Sequence, residues 1–124
     1  MSRMHEEIIK SMSGLEPLDQ EGVKAQFIFQ EDFIGFQGHF KNSPILPGVC
    51  KIQAVIAMME KFHQKKFQLN EVSVAKYFRP VTARETILIE SHFTFDENKG
   101  VRVKALVKKA EDKAALLQLI LQEI

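Results

Sequence analysis

The chain has 124 residues, the length of one ordinary domain, so we expect residues 1–124 to form a single domain. Hydrophobic residues make up 45% and charged residues 27%, which is globular composition and excludes a disordered chain. The net charge of +1 argues against a strongly basic nucleic-acid binder. No apolar run reaches the roughly 18 residues of a membrane helix. Residues 1–12 lack the apolar segment of a signal peptide, so we expect a cytoplasmic protein without membrane contact.

The sequence contains no recognisable motif for binding a metal or a cofactor. Cys50 is the only cysteine, which leaves no disulfide framework and no cysteine-based zinc site. His5, His63 and His92 show no metal-ligand spacing, and glycine-rich nucleotide-binding motifs are absent. We therefore expect neither a metal nor a cofactor.

The first third of the chain predicts a helix, a loop and a strand. Residues 4–13 carry apolar side chains at helical spacing and predict a short helix. Gly14, Pro17 and Gly22 then indicate a loop. Residues 23–30 alternate apolar and polar side chains, as half-buried strands do. The stretch from 32 to 48 is rich in glycine and proline, and an irregular segment of this length is more often functional than not.

A buried helix is predicted from Val49 to about Lys65, because this stretch contains neither glycine nor proline and Pro47 lies just ahead of it. From Ile52 to Met59 every residue except Gln53 is apolar, so the helix must be surrounded by protein.

The second half of the chain predicts antiparallel strands. Apolar alternation over 72–78, 87–95 and 101–107 indicates three strands, and the turn Asp96–Gly100 joins two of them as a hairpin. Residues 111–124 fit a helix by propensity and a strand by alternation, and periodicity does not decide between them. The predicted class is α+β, with a long central helix lying against a curved antiparallel sheet.

The segment FQGHFKNSPILPGVCKIQ, residues 36–53, resembles the active-site segment of the β-hydroxyacyl-acyl-carrier-protein dehydratases, the hotdog-fold enzymes of fatty acid synthesis. The matching elements are Gly38-His39-Phe40 and, at the family's spacing, the run PILPGV at 44–49. A second match lies at 78–81, where FRPV resembles the family's strand-ending pattern. The resemblance covers about residues 20–110 and implies a hotdog fold, in which a curved sheet wraps the central helix.

The resemblance also implies roles for individual residues. His39 would be the base that removes the α-proton of a 3-hydroxyacyl thioester, and the backbone N–H of Gly48 would bind the thioester carbonyl. A helix N-terminus suits that task because its N–H groups are free and its dipole end is positive. Phe40, Pro47 and Val49 would contact the substrate.

Gln53 departs from the family pattern, which has Glu or Asp at this position of the helix. An amide donates and accepts hydrogen bonds but does not deliver a proton at neutral pH. Loss of a general acid typically lowers the rate by about 10²–10⁴. Because a buried unpaired amide costs about 1–3 kcal/mol, we expect Gln53 to have a partner, either in the active site or as a packed core residue.

Three functions follow from this pattern. The first is a dehydratase-like lyase acting on acyl thioesters in fatty acid or lipid synthesis, with Gln53 as an orienting group. The second is a hotdog acyl thioesterase, and the third is a non-catalytic acyl-binding protein or partner subunit. The resemblance implies an acyl-carrier-protein or coenzyme A thioester as ligand and acyl carrier protein as partner. It also implies a homodimer or dimer-based oligomer. The ten phenylalanines are expected at the dimer interface and along a greasy substrate channel.

Overall fold

The computed structural model describes residues 3–36 and 44–124. Two α-helices, one short 3₁₀ turn and six strands make up these residues. In chain order they are α1 (Arg3–Ser11), β1 (Met12–Asp19), β2 (Gly22–Ile28), the 3₁₀ turn (Ile34–Phe36), α2 (Gly48–His63), β3 (Phe67–Tyr77), β4 (Thr86–Phe95), β5 (Gly100–Lys109) and β6 (Asp112–Glu123).

The six strands form one curved antiparallel sheet in the order β1-β2-β4-β5-β6-β3. β4, β5 and β6 are joined by hairpins, and the turn predicted at Asp96–Gly100 is confirmed, since the Asp96 N–H donates to the Gly100 carbonyl at 2.9 Å. β1 and β3 are the edge strands. β3 pairs with β6 on one side and with no other strand among the described residues.

The core lies between α2 and the inner face of the sheet, as the α+β prediction requires. All six residues from Ala54 to Met59 are buried, and the sheet contributes alternate side chains such as Ile87 and Ile89 of β4. Ser91 is a polar exception on that face, and its hydroxyl lies 3.6 Å from the Met58 sulfur. The helix begins one residue earlier and ends two residues earlier than predicted. It stops where Gln64 adopts the left-handed conformation at φ 55°.

The predicted loop at 14–22 is wrong. Residues Met12–Asp19 form edge strand β1, which pairs with β2, and only two residues remain as a turn. Gly14, at φ 63°, sits where the register shifts between Ser13 and Glu16, as in a β-bulge. Pro17 is tolerated because an edge strand needs hydrogen bonds along one side only.

The ambiguous C-terminal segment is strand β6, from Asp112 to Glu123. It lies between β5 and β3, so both of its edges are hydrogen-bonded. The alternating Leu117, Leu119 and Leu121 point into the core and are each at most 1% exposed. Tertiary pairing thus overrides the helical propensity of Ala, Leu and Gln.

The phenylalanines are mainly core residues, which corrects the expectation of an interface and a channel. Six of the ten are buried in the chain's own core, namely Phe27, Phe29, Phe33, Phe36, Phe67 and Phe93. Phe78 and Phe95 are exposed, at 53% and 39%, and Phe40 lies outside the described residues. Among the described phenylalanines, only Phe78 borders the cavity presented below.

Candidate functional site

No side chain of the described residues caps the N-terminus of α2. Pro47 is the N-cap residue with extended backbone, φ −62° and ψ 151°, and the Cys50 N–H turns back to the Pro47 carbonyl at 3.0 Å. The N–H groups of Gly48 and Val49 have no acceptor among the described residues. These two donors at the positive end of a 16-residue helix are therefore free to bind an oxygen.

Two sequence motifs that are about thirty residues apart in the chain meet at this helix end. The Leu46 N–H donates to the Val81 carbonyl at 2.7 Å, and Ile45 forms an isolated antiparallel bridge with Thr82. Leu46 and Val81 are both at most 1% exposed. The PILPG segment is thereby fixed against the FRPV segment, which accounts for the joint appearance of both motifs in the sequence.

A cavity of about 380 Å³ opens between the two motifs. One wall of the cavity consists of the residues just before α2 and of its first turn. The other wall consists of the last residue of β3 and the three residues that follow this strand. The lining residues are Ile45, Leu46, Pro47, Gly48, Lys51, Tyr77, Phe78, Arg79 and Pro80. Two of the predicted substrate-binding residues, Gly48 and Pro47, are therefore cavity-lining residues.

Tyr77 covers the start of α2. A Cβ placed on Gly48 would lie 2.5 Å from the Tyr77 hydroxyl oxygen, so the ring rests directly against the glycine backbone. Only a residue without a side chain permits this approach. Tyr77 is itself 48% exposed, and no described residue accepts or donates a hydrogen bond at its hydroxyl. The side chain thus lies between the helix end and solvent.

Lys51 is a cavity residue that the sequence reasoning missed. It is 3% exposed, its Nζ lies 3.5 Å from the Leu46 carbonyl oxygen, and the Tyr77 ring centroid is 5.0 Å from Nζ. Burial lowers the pKa of this lysine below its ordinary value. A lysine in the first turn of an apolar helix, where the dipole disfavours a cation, was the available signal.

Gln53 lies on a different side of α2 from Lys51. Two residues correspond to about 200° around a helix, so their side chains point in nearly opposite directions. Gln53 is half-buried, and no described residue forms a hydrogen bond with its amide. The partner predicted for Gln53 is therefore not among residues 3–36 and 44–124. Val49, four residues earlier on the same face, is 60% exposed.

His39 and Phe40 lie outside the described residues, so their predicted roles remain predictions. Two carboxylates that could be considered as a replacement for the missing acid, Glu60 and Glu31, are engaged elsewhere. Glu60 accepts the Phe67 N–H at 2.9 Å, far along α2 from its start, and Glu31 is exposed and paired with Arg84. Neither lines the cavity.

The surroundings of Cys50 and His92 indicate structural roles for both residues. Cys50 is 1% exposed, its pKa is raised by burial, and its sulfur lies 3.9 Å from the Met4 sulfur, so it is a core residue. His92 Nε2 lies 3.2 Å from an Asp19 carboxylate oxygen at the surface. The part of the chain that the structure describes contains no cluster of three or more His, Cys, Asp or Glu side chains suited to a metal. None of its helices is long and apolar enough to cross a membrane.

His63 lies in an aromatic cluster at the other end of α2. Its ring contacts Phe62, Phe67, Phe93 and Phe95 with centroid distances of 4.7 to 6.1 Å. Nε2 is buried, and it alone among the buried side-chain nitrogens and oxygens of the described residues has no hydrogen-bond partner. Burial, with a smaller contribution from the Lys65 charge, lowers the pKa of His63. This histidine is therefore held mainly in its neutral form.

A curved antiparallel sheet around one long helix, with PILPG leading into the uncapped helix start, defines a dehydratase-like hotdog protein. Residues 16–116 match the ApeI-like family, described as ApeI dehydratase, and the chain belongs to this family. The predicted resemblance to the FabA/FabZ-like dehydratases is thereby confirmed.

Individual relatives agree with this assignment. The chain is 34% identical over 97 residues to the 3-hydroxyacyl-acyl-carrier-protein dehydratase FabZ of Thermus thermophilus, covering 70% of this chain and 68% of the relative. It is 28% identical over 97 residues to FabZ of Wolbachia sp. subsp. Brugia malayi, covering 70% of this chain and 65% of the relative.

Solved structures show the same fold. The dehydratase heterocomplex ApeI:P from Xenorhabdus doucetiae matches with a TM-score of 0.71 at 20% identity, over 90% of this chain and 96% of that one. A sigma28-regulated virulence protein from Campylobacter jejuni matches with a TM-score of 0.71 at 15% identity, over 98% and 96% of the two chains. The predicted hotdog fold is confirmed.

Proposed function

We propose that this protein is a 3-hydroxyacyl-acyl-carrier-protein dehydratase of fatty acid or lipid synthesis that acts in the cytoplasm on acyl thioesters. Its ApeI-like family and its FabZ relatives support the reaction class. The structural observation that carries the proposal is the uncapped start of α2, where the Gly48 N–H lines a cavity and has no described acceptor. A thioester carbonyl is an acceptor that fits this donor.

The reaction removes water from a 3-hydroxyacyl thioester. A base takes the α-proton, negative charge develops on the carbonyl oxygen, and the bond to the 3-hydroxyl breaks as that group leaves as water. In our proposal His39 is the base, and the Gly48 N–H and the positive end of the α2 dipole stabilise the oxygen. Pro47, Val49 and Phe40 contact the acyl thioester.

Because position 53 carries Gln53 and not a carboxylic acid, another group must supply the proton that the leaving hydroxyl needs. The amide of Gln53 has no proton to deliver at neutral pH, but it can hold the 3-hydroxyl by hydrogen bonds. The protonated His39 then returns its proton to the departing hydroxyl, so that one residue serves as base and acid. Such a site is expected to turn over more slowly than one with a carboxylic acid at position 53, by about 10²–10⁴.

A second chain completes the site in this proposal. Strand β3 has one unpaired edge among the described residues, and it exposes Leu69 and Val72 at 38% and 39%. An edge strand with exposed apolar side chains is a pairing surface. The face of α2 that carries Val49 and Gln53 is also incompletely covered. We propose a homodimer, or an oligomer built from dimers, in which the second chain covers this face. Gln53 of one chain then acts on the substrate that is held at the Gly48 N–H of the other chain.

The acyl group is proposed to arrive on acyl carrier protein, with coenzyme A as the alternative carrier. The sequence offers six cations for an acidic carrier, namely Lys61, Lys65, Lys66, Lys76, Arg79 and Arg84. Three of these already have an acidic partner: Lys65 lies 3.5 Å from Glu123, Arg79 lies 3.7 Å from Asp112, and Arg84 pairs with Glu31. Exposed ion pairs of this kind are weak, so the cation can exchange its own acidic partner for a carboxylate of the carrier protein.

Hydration of a trans-2-enoyl thioester, the reverse reaction, tests the proposal through the loss of enoyl absorbance. We expect slow hydration by the wild type, none by His39→Ala, and a gain of about 10²-fold or more in Gln53→Glu. Gln26→Glu, which adds the same charge at an exposed position of β2, should change nothing. If neither wild type nor Gln53→Glu hydrates the thioester at high enzyme concentration, the dehydratase proposal is wrong.

The same assay separates two other functions that the amide at position 53 favours. In a thioesterase, Gln53 would hold the water that attacks the carbonyl, and free thiol would be released without hydration in a reaction that His39→Ala abolishes. A non-catalytic partner subunit would bind the thioester and turn over nothing in either form. The ApeI:P structure is described as a heterocomplex, which makes co-purification with a second hotdog chain the decisive observation for that function.

A further inference from the structure

Lys51 is a buried cation with no anionic partner among residues 3–36 and 44–124. At 3% exposure its side chain is almost fully removed from water, and no described carboxylate lies within ion-pair distance of its ammonium. Its single hydrogen-bond acceptor among the described residues, the Leu46 carbonyl, is 3.5 Å away, at the far limit of a hydrogen bond. An ammonium has three N–H donors, so at least two of them lack an acceptor here. An isolated buried charge of this kind is costly.

The surroundings of Lys51 increase this cost. The ammonium belongs to the first turn of α2, where the helix dipole is positive, and the second charged residue of the cavity lining, Arg79, is also a cation. No Asp or Glu of the described residues lines the cavity. Arg79 is 3.7 Å from Asp112, but both side chains are more than half exposed, so this pair neutralises the rim rather than the interior. The interior of the cavity therefore has a positive potential that nothing described balances.

Helix geometry places Lys51 and Gly48 on the same face of α2. Residues three apart lie on the same face of a helix, and side chains lean toward the helix N-terminus. The Lys51 side chain accordingly reaches back to Leu46, ahead of the first helical residue. There its N–H donors lie in the same cavity as the backbone of Gly48, whose N–H has no acceptor among the described residues. The Tyr77 hydroxyl, which lies against Gly48, adds a further donor without a described partner.

The rest of the cavity is apolar. Ile45, Leu46, Pro47, Phe78 and Pro80 form its other walls. A ligand that satisfies all these groups has a negatively charged oxygen at one end and a small apolar body at the other. A hydrated inorganic anion alone would leave the apolar walls without contact.

We propose that this cavity is an anion-binding site, in which Lys51 and the first-turn N–H groups of α2 bind the oxyanion of a carboxylate or phosphate carried on a small apolar body. Tyr77 covers the bound anion, and Phe78 with Ile45 contacts the apolar body. The anion and the thioester carbonyl of the proposed reaction share the Gly48 N–H, so the two ligands compete for this cavity. The proposal nevertheless goes beyond the dehydratase function, because it requires no turnover and places on Lys51 a role that the reaction does not need.

Tyr77 supplies a direct signal for the test. The chain has one tyrosine and no tryptophan, so its intrinsic fluorescence comes from Tyr77 alone. We would titrate the full chain with butyrate, butyl phosphate and the uncharged butyramide, which share one apolar body. Fluorescence reports on Tyr77, and the ε-methylene NMR signals of Lys51 report on the cation. We expect saturable binding of at least one of the two anions and about 10-fold or more weaker binding of butyramide.

Three variants fix the location of the site. Lys51→Met should lose the preference for an anion over butyramide, Lys51→Arg should retain it, and Lys104→Met, at an exposed position of β5, should bind as the wild type does. Thermal melts establish that each variant is folded. Binding of butyrate alone or butyl phosphate alone identifies the source of the oxyanion. If neither anion saturates, if butyramide binds equally well, or if Lys51→Met keeps the preference, the proposal is wrong, whatever the outcome of the enoyl-thioester assay.

Discussion

Replacing Lys51 by methionine is expected to stabilise the protein, which is the opposite of the usual effect of changing a buried residue. Methionine keeps the unbranched shape of the lysine side chain and removes the charge. Replacing a buried ion pair by apolar groups of similar volume is often neutral or stabilises a protein by about 1–4 kcal/mol, and at Lys51 no described anion would lose its partner. The contact between the ammonium and the Tyr77 ring, at 5.0 Å, offsets about 0.5–2 kcal/mol of this gain. We expect a net increase of about 1–2 kcal/mol in the free energy of unfolding at pH 7.

The pH dependence of the stability difference between Lys51→Met and the wild type tests whether the buried charge is the cause of that difference. Burial lowers the pKa of Lys51 in the folded chain, whereas the unfolded chain has the ordinary value near 10.4. Between these two values the unfolded chain binds more protons than the folded chain, so the stability of the wild type rises with pH. Lys51→Met lacks this contribution. The stability difference should therefore be largest below the folded pKa and should close as the pH approaches about 10.4.

Urea denaturation followed by circular dichroism, at pH 7 and again near pH 10, measures the difference. Both proteins are compared at one protomer concentration, because an oligomer gains apparent stability with concentration. Lys61→Met, exposed on the same helix, should differ from the wild type by no more than about 0.5 kcal/mol at either pH. A Lys51→Met protein that is less stable than the wild type, or a gain that is equal at both pH values, would refute the reasoning about an uncompensated buried charge.

Three further expectations concern other elements. Burial lowers the pKa of His63, so on acidification the unfolded chain takes up a proton before the folded chain does. The free energy of unfolding should therefore fall as the pH drops below about 6.5. In urea denaturation at a series of pH values, His63→Leu should show a smaller fall over this pH range. Gly48→Ala places a Cβ 2.5 Å from the Tyr77 hydroxyl, so the ring must rotate outward, and acrylamide should quench its fluorescence more strongly than in the wild type. Val72→Lys puts a charge on the open edge of β3 and should halve the mass found by sedimentation, whereas an unchanged mass would remove β3 from the proposed interface.

The sequence was a good guide where local chemistry and tertiary structure agree. The apolar run from Ile52 to Met59 predicted a buried helix, and the structure buries its central part completely. The alternating strands β4 and β5 and the turn between them were equally direct, because the side chains that the pattern assigns to the core are buried, with the exception of Phe95 at the end of β4. In these segments propensity, pattern and packing all favour the same structure.

The pattern failed where neighbouring strands decide the structure. β1 contains glycine and proline, which usually interrupt strands, and its pairing with β2 could not be read from either segment alone. β6 has helical propensity, and its conformation is set by hydrogen bonds from strands on both sides. Lys51 was missed for a related reason. A cation next to a helix start is inconspicuous in a sequence, and its significance depends on Tyr77, which arrives from β3 to cover it.

The two faces of α2 now divide the candidate chemistry between them. Gly48 and Lys51 line an open cavity whose described walls all come from this chain, including the end of β3 and the segment that follows it. Gln53 and Val49 face outward, where the described residues give the amide no hydrogen bond and leave the valine 60% exposed. An anion-binding site on the first face needs only one chain, whereas chemistry at Gln53 requires a surface that covers the second face. Binding at Lys51 should therefore persist in a monomeric Val72→Lys protein, and hydration should not. Loss of both together would mean that the cavity, too, is completed only by assembly.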